Sequence, residues 1–416
     1  MARHATESGD ARLASEWWRR AAERALAQLS LHEVAAHLQA GLSVVRQAPA
    51  QPWRERADMA LHAMLGTLHM LEKGWAAPDV QQAYERANEL ARVSDDVEEA
   101  MWPLWGLCVY HMVQGDIHRA VTIGQRMETV GRQAQSRQGW LVHDMMQVQL
   151  GYYSGRWDVA LRHAQQVSHR YADPQDRSLI SLYSTDLLLV AKVHAMHAAW
   201  ITREQMDIDQ AYEDVRARAM TLQHPYSLAW TLTWGAMIHL HRRDTEALRR
   251  CAEQGAEMAE THGYAYVRSM AAFVLGWCDS QHEASRDAGL LAMREGLQAF
   301  RATGAGIAVP FFLTLLAEAM GEAGHLEEAL DCANEAQSLT DQGGEAWYEP
   351  ETLRVRAVLL ARRPAAESGM VYELLQRGRQ RALSQGAKRW AERCMHSWQE
   401  IDASWPGWLP SLVPAR

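Results

Sequence analysis

The chain has 416 residues, 48% hydrophobic and 22% charged, a composition that excludes a disordered chain. Its net charge of −9, with the cations spread among acids, argues against nucleic acid as the main partner, because counterion release needs clustered Lys and Arg. Cys108, Cys251, Cys278, Cys332 and Cys394 lie far apart with no C-x-x-C, which excludes a disulfide framework and a zinc ribbon and fits free thiols in a reducing cytosol.

In chain order, the N-terminal segment carries no apolar leader, so a cytoplasmic location is expected. Gln47 to Pro52 separates a first helix pair from the next helix, and Gly74 with Pro78 opens another, since proline is tolerated in a first turn. No proline occurs between Pro103 and Pro174, and apolar residues there recur at helical spacing, as in Leu141, Met145, Val148 and Tyr152. The most apolar stretch, Leu182 to Ile201, contains Asp186, Lys192 and two histidines and is no membrane span. Asp173-Pro174, His224-Pro225, Gly306 to Pro310, Gly343-Gly344 and Arg363-Pro364 mark the later joints. The final dozen residues cannot continue a helix. They either cap the last repeat with Trp405 and Trp408 or fray.

Across these segments a small-residue and glycine pattern returns roughly every forty residues. One copy is Leu107, Cys108, His111, Gly115-Asp116, Ala120; another is Val148, Gly151, Gly155, Ala160, Ala164. A third is Leu316-Ala317, Met320, Gly324, Ala329, Ala333, Ala336. Each places a small residue on a first helix, then a turn glycine, then alanines on a second helix. The expected fold is all-α: a tetratricopeptide-like, right-handed superhelical solenoid of about nine or ten antiparallel helix pairs. It is expected to run continuously over residues 1–402, with a Pro/Trp-containing tail at 403–416.

The segment KGWAAPDVQQAYERANEL (Lys73 to Leu90) resembles the repeat region of bacterial multidomain signalling proteins. In those, a class III nucleotide cyclase or DNA-binding domain precedes a STAND-type ATPase and a long tetratricopeptide-like array. Leu222 to Trp230, His241 to Asp244, Leu275-Gly276-Trp277, Arg301 to Ala305 and Leu315 to Ala319 extend the likeness, and Ala2 to Leu26 is similar to the start of such an array. The maltotriose-responsive (MalT-type) activators have a related architecture. The resemblance implies a regulatory, partner-sensing array. No G-x-x-x-x-G-K-[ST] is present, so the nucleotide chemistry of those proteins does not carry over.

In tetratricopeptide arrays the first helices line a groove. Taking Gly115 and Gly155 as turn glycines nominates Trp102, Trp105 and Met112 in one repeat, and Met145, Gln149, Tyr152 and Tyr153 in the next, as groove candidates that could grip a peptide. Packing between repeats is the alternative for each. The seventeen tryptophans against four phenylalanines read more simply as fillers of inter-helix space, as at Trp157 and Trp277. Among the cations only Lys73, Lys192 and Lys388 are lysine. The rest are arginine, which reads as a surface for carboxylates or phosphates or, more simply, as GC-rich coding. His194 and His197 stand at i, i+3 but lack further ligands for a metal. His239 and His241 are two apart and point different ways on a helix. No G-x-S-x-G or H-E-x-x-H nominates catalysis.

These features lead to a non-catalytic protein- or peptide-binding scaffold in bacterial signalling or transcriptional regulation. No cofactor, metal, nucleic acid or membrane is implied. The expected partners are a STAND ATPase, a nucleotide cyclase or a transcription factor. A small-molecule inducer sensor and a fragment of a larger regulator are the alternatives.

Overall fold

The computed structural model describes residues 1–28, 30–91, 100–364 and 366–404. The tail with Trp405 and Trp408, and an acidic cluster at Asp95, Asp96, Glu98 and Glu99 that reads as a solvated helix start, lie outside the described residues. Among the described residues there are 22 α-helices and no strand. After α1 (Ala2–Glu7) come the pairs α2 (Ala11–Ala27) with α3 (Leu31–Gln47), α4 (Pro52–Lys73) with α5 (Pro78–Ala91), and α6 (Met101–Val113) with α7 (Ile117–Ala134). Next are α8 (Arg137–Tyr153) with α9 (Trp157–Arg170), the short α10 (Ile180–Tyr183), and α11 (Leu187–Thr202) with α12 (Ile208–Thr221). A helix built of α13 (Pro225–Trp230), a π segment over Thr231–Gly235 and α14 (Met237–His241) pairs with α15 (Thr245–His262). The last pairs are α16 (Ala265–Ser280) with α17 (Arg286–Ala302), α18 (Val309–Glu322) with α19 (Leu326–Gly343), and α20 (Glu349–Ala361) with α21 (Ser368–Gln385), followed by α22 (Lys388–Ser404). That is nine pairs and a terminal helix. No helix among the described residues is long and apolar enough to cross a membrane.

One repeat shows why the sequence folds this way. Gly155 sits at φ +69° in the turn between α8 and α9, a left-handed conformation that costs glycine little. Gly151, one turn earlier, faces the second helix so closely that a Cβ there would lie 2.8 Å from the amide nitrogen of Ala160. Ala160 itself is fully buried. Elsewhere an aspartate opens the second helix: Asp207 accepts from the Gln210 amide and Asp244 from the Ala247 amide, both at 3.0 Å. Each such cap contributes about 1 kcal/mol.

The chain divides into two compact units. The first comprises residues 1–114, 118–147 and 165–190; the second comprises 115–117, 148–164 and 191–416. The first unit is built on the buried Ala22, Leu26, Val34, Leu38, Leu61, Met64 and Leu68, with Trp102 packed against them. Tyr84 lies between Gly66 and Gly106, where any side chain would strike its ring, and its hydroxyl hydrogen-bonds Thr67 Oγ1 at 2.9 Å. In the second unit, Leu353, Ala357, Val371, Leu374 and Leu375 form the core of the last repeats.

If backbone approach fixes the pairs, Gly151→Leu is expected to lower stability by about 1–3 kcal/mol, because the helices must part. Gly369, around which nothing lies within 4 Å, is the comparison, and Gly369→Ala is expected to be neutral or stabilising. Urea unfolding midpoints check this. Equal behaviour of the two variants would sink the account.

Candidate functional site

The second unit carries its distinguishing chemistry on the inward faces of its first helices. Tyr152 and Tyr153 end α8; His194, His197 and Trp200 lie along α11; Trp230, Trp234 and His241 lie along α13–α14; Phe311 begins α18. They meet Trp347 and Tyr348, which precede α20, and Trp390 of α22. Tyr152 and Trp347 have ring centroids 5.1 Å apart, Phe311 and Trp347 5.0 Å, and Trp200 and Trp390 5.6 Å. The amides of Ala346 and Trp347 donate to the Tyr153 carbonyl at 2.8 and 3.2 Å, fixing α8 to this loop. Burying each such ring contributes about 1.5–3 kcal/mol.

The π segment shapes the wall. Its wide turn bonds the Ala236 amide to Thr231 O, and the His239 amide turns to Ala236 O, which leaves Gly235 O outside the helical ladder. His197 Nε2–H takes up that carbonyl at 3.2 Å, and its Nδ1 faces the Tyr152 hydroxyl at 3.5 Å. Burial, reinforced by His194 and His239, pushes His197 down to about 3, so the ring is neutral at physiological pH. His241 is also held well below its ordinary range by burial, then by His197, Arg393 and Arg243. It stacks on Trp200 at 5.3 Å, whereas His239 packs outward on Tyr212 at 4.7 Å.

Charges form a ladder along the same helices. Arg243, at the end of α14, donates to Glu318 of α18 at 2.6 Å. Arg354 of α20 donates to Glu318 at 2.7 Å and to Glu351 at 3.1 Å, and Arg393 of α22 pairs with Glu351 at 2.9 Å. Burial raises the Glu318 pKa, but Arg243, Arg354 and Arg393 outweigh it and hold the carboxyl well below its usual range. Glu345 differs. It is buried without an ion pair among the described residues. Its oxygens accept from the Ala308 amide at 2.9 and 3.1 Å, and Oε1 also accepts from Trp347 Nε1 at 2.8 Å.

The residues nominated from sequence fall in both units. Trp105 (1% exposed) and Met112 belong to the first unit, where Trp105 meets Tyr183 edge-on at 4.8 Å. Met145 is buried in the same unit. Tyr152 (0% exposed) and Tyr153 form part of the aromatic wall of the second. Only Trp102 and Gln149 keep an intermediate share of surface. Trp347 and Arg389 carry no sequence signal beyond the excess of tryptophan and arginine, Glu345 carries none, and His241 stands out only in the pair with His239 weighed for a metal and in the His241 to Asp244 likeness.

No family model matches the chain. A segment of 202 residues is 28% identical to an uncharacterised protein of Rhizobium meliloti (strain 1021), covering 49% of this chain and only 19% of that protein. Among solved structures, the chain is similar to a Rap protein in complex with Competence and Sporulation Factor. The TM-score is 0.58 at 11% identity, over 94% of this chain and 99% of that one. It also aligns, at a TM-score of only 0.29 and 10% identity, with aspartyl phosphate phosphatase F from Bacillus subtilis over 97% of each chain. The first likeness, with the paired helices, defines the fold as an all-α, tetratricopeptide-like helical repeat.

Glu345 gives the second unit a signature in pH. Burial raises its pKa to about 7 from 4.5, against the pull of the Trp347 and Ala308 donors. The folded chain therefore holds this proton more tightly than the unfolded chain. Its contribution to stability is greatest below about pH 4.5 and is lost as pH rises to about 7, a change of about 3 kcal/mol. His197 and His241, whose pKa values are lowered, act in the opposite sense but equally in wild type and in Glu345→Gln. Unfolding midpoints of the two proteins from pH 5 to 8 are expected to diverge in favour of the glutamine variant as pH rises. A gap independent of pH would show that Glu345 does not titrate there.

Proposed function

We propose that this chain is a non-catalytic helical-repeat scaffold that binds a protein or peptide partner in bacterial signalling or transcriptional regulation. The observation that carries this reading is the convergence, in the second unit, of rings and paired charges from the first helices of successive repeats. The rings are buried and brace the helices, so a partner would be met above them by the part-exposed charges Arg243 and Arg393 and by Gln149. Tyr152 and Tyr153 lie beneath that face, and Trp102, Trp105, Met112 and Met145 are the corresponding candidates of the first unit, of which only Trp102 keeps part of its surface. The structural neighbour with a TM-score of 0.58 is itself a complex, with Competence and Sporulation Factor. For context we propose the array of a STAND ATPase or cyclase regulator. The sequence resemblance supports this, as does a relative in which the matched segment spans 19% of the length. A small-molecule inducer is the second reading, favoured by the enclosure of the aromatic wall, where Tyr152, His197 and Trp347 are all buried.

A photo-crosslinking residue at Gln149 tests the partner reading against the same residue at Leu291, which is exposed on the second helix α17. In native cytosol, Gln149 is expected to give a discrete polypeptide adduct that Leu291 does not. The same adducts at both positions, or none at Gln149, would remove the protein-partner reading and leave the inducer.

A further inference from the structure

The second helices of the second unit carry a groove of their own. It has a volume of about 410 Å³, inside the range of about 300–1,000 Å³ of sites that take a ligand. Its walls are α12 and α15, and its floor is Leu228 of α13 with Leu232 of the π segment. Gly255 explains the shape. A Cβ there would lie 2.7 Å from Thr233 Cγ2 and 3.5 Å from the Ala229 carbonyl oxygen, so α15 seats directly on the π segment. Leu228 and Leu232, four positions apart, share one face of the helix beneath. Leu228 keeps part of its surface, because α12 does not close over it.

Both walls add methionine. Met220 of α12 is 57% exposed, and Met258 of α15 keeps part of its surface. Flexible thioether chains re-pack around an apolar partner at little cost. On α15 the lining runs from Gln254 to Thr261, about 10 Å or two turns of helix. Apolar side chains at helical spacing over that length suit a helix laid along the groove better than a compact molecule. The charges are unequal. Arg216 on the α12 wall donates through Nε and Nη2 to Glu213 Oε2 at 3.2 and 3.1 Å, so its charge is matched. Glu257 on the α15 wall is exposed and has no cation on its carboxylate among the described residues. Arg268 does not supply one, since it is paired with Glu260 at 3.0 Å. The groove thus sets one unpaired carboxylate beside an apolar floor, and its complement is apolar with a cation alongside.

We propose that this groove docks an amphipathic helix of a partner protein. Apolar side chains one turn apart seat over Leu228, Leu232 and the two methionines, and a lysine or arginine beside them pairs with Glu257. The second helices form this surface, so it goes beyond the inward-facing reading above and does not rest on it. Leu232 stands in the π segment that also directs Gly235 O to His197, so the groove and the ring-lined face share one helix.

The test selects displayed four-turn helical peptides, randomised along one face, on the full chain. Wild type is compared with Met220→Glu, Glu257→Lys and, as the distant control, Leu291→Glu on the exposed face of α17. Melting curves confirm that each variant is folded. Enriched sequences are expected to carry large apolar residues four apart, flanked by Lys or Arg. Met220→Glu is expected to weaken their binding about tenfold or more and Leu291→Glu to leave it unchanged. Glu257→Lys is expected to turn the selected flanking residues from basic to acidic. No enrichment, enrichment without a charge preference, or a basic preference that survives Glu257→Lys overturns the proposal, as do peptides that bind Met220→Glu as well as wild type. Two further measurements cover the other occupants. A dimer in sedimentation that Met220→Glu dissolves assigns the groove to a second copy. Uptake of dodecyltrimethylammonium below its micelle point, with no helix enriched, assigns it to a small amphiphile. Either overturns the helix, and neither bears on the crosslink at Gln149, which reads the inward face separately.

Discussion

Two helices can lie backbone to backbone only where one of them has no side chain in the way, and the rest of this structure depends on that constraint. A Cβ on Gly276 would stand 2.7 Å from the Met293 amide, and one on Gly296 would stand 2.6 Å from the Phe273 amide, just as Gly151 faces Ala160. The pairs are therefore pinched together along one line. What remains open is the space on the inward side of the first helices, where the next residues along must be large. Tryptophan and tyrosine fill it, and the tight pairs and the ring-lined wall are two consequences of one spacing.

Rings alone would make an inert core, and the second unit does not stop there. Arg243, Glu318, Arg354, Glu351 and Arg393 run from α14 through α18 and α20 to α22 in one chain of ion pairs. Buried ion pairs cost about as much desolvation as they return in attraction, so apolar side chains could have served stability as well. Charged groups, unlike methyl groups, demand one alignment of the helices that carry them. We read the ladder as setting the register of those four helices. It also leaves three guanidinium groups facing two carboxylates, so the wall is biased toward cations before any ligand arrives.

What the sequence makes legible is local. The turn glycines are visible because each is followed at fixed spacing by the alanines of the second helix, and Gly115, Gly155 and Gly324 all have positive φ. The all-helical class follows from apolar spacing and from the position of the prolines. The site is legible only in part. Aligning repeats nominates Tyr152 and Tyr153, and the structure buries both among the rings of the second unit. Alignment cannot show that Trp347, from a repeat far down the chain, packs on Tyr152, or that Trp390 packs on Trp200 and His241. Periodicity describes a helix and its neighbour; contacts such as Arg389 to Trp200, 189 positions apart, leave no period to read. The π segment was hidden for another reason: nothing in Thr231 to Gly235 breaks the apolar spacing, yet it turns Gly235 O toward His197.

The turns at the ends of α11 and α14 differ from those that turn on glycine. Where Gly155 and Gly324 take the left-handed conformation, these turns place Arg203 at φ +60° and Arg243 at φ +61°. An L side chain in that region costs about 1 kcal/mol that glycine does not. Helix capping does not require it, since Asp207 and Asp244 supply the caps that follow. Salt bridges at the surface do not justify it either, because an exposed pair such as Arg203 with Glu392 is worth about 0–1 kcal/mol. Arg243 gains in return its bond to Glu318 of the ladder. Those two helix ends carry Trp200 and His241, so the strain places two fixed cations beside the stacked rings. A turn built for stability alone would have used glycine; these two use arginine.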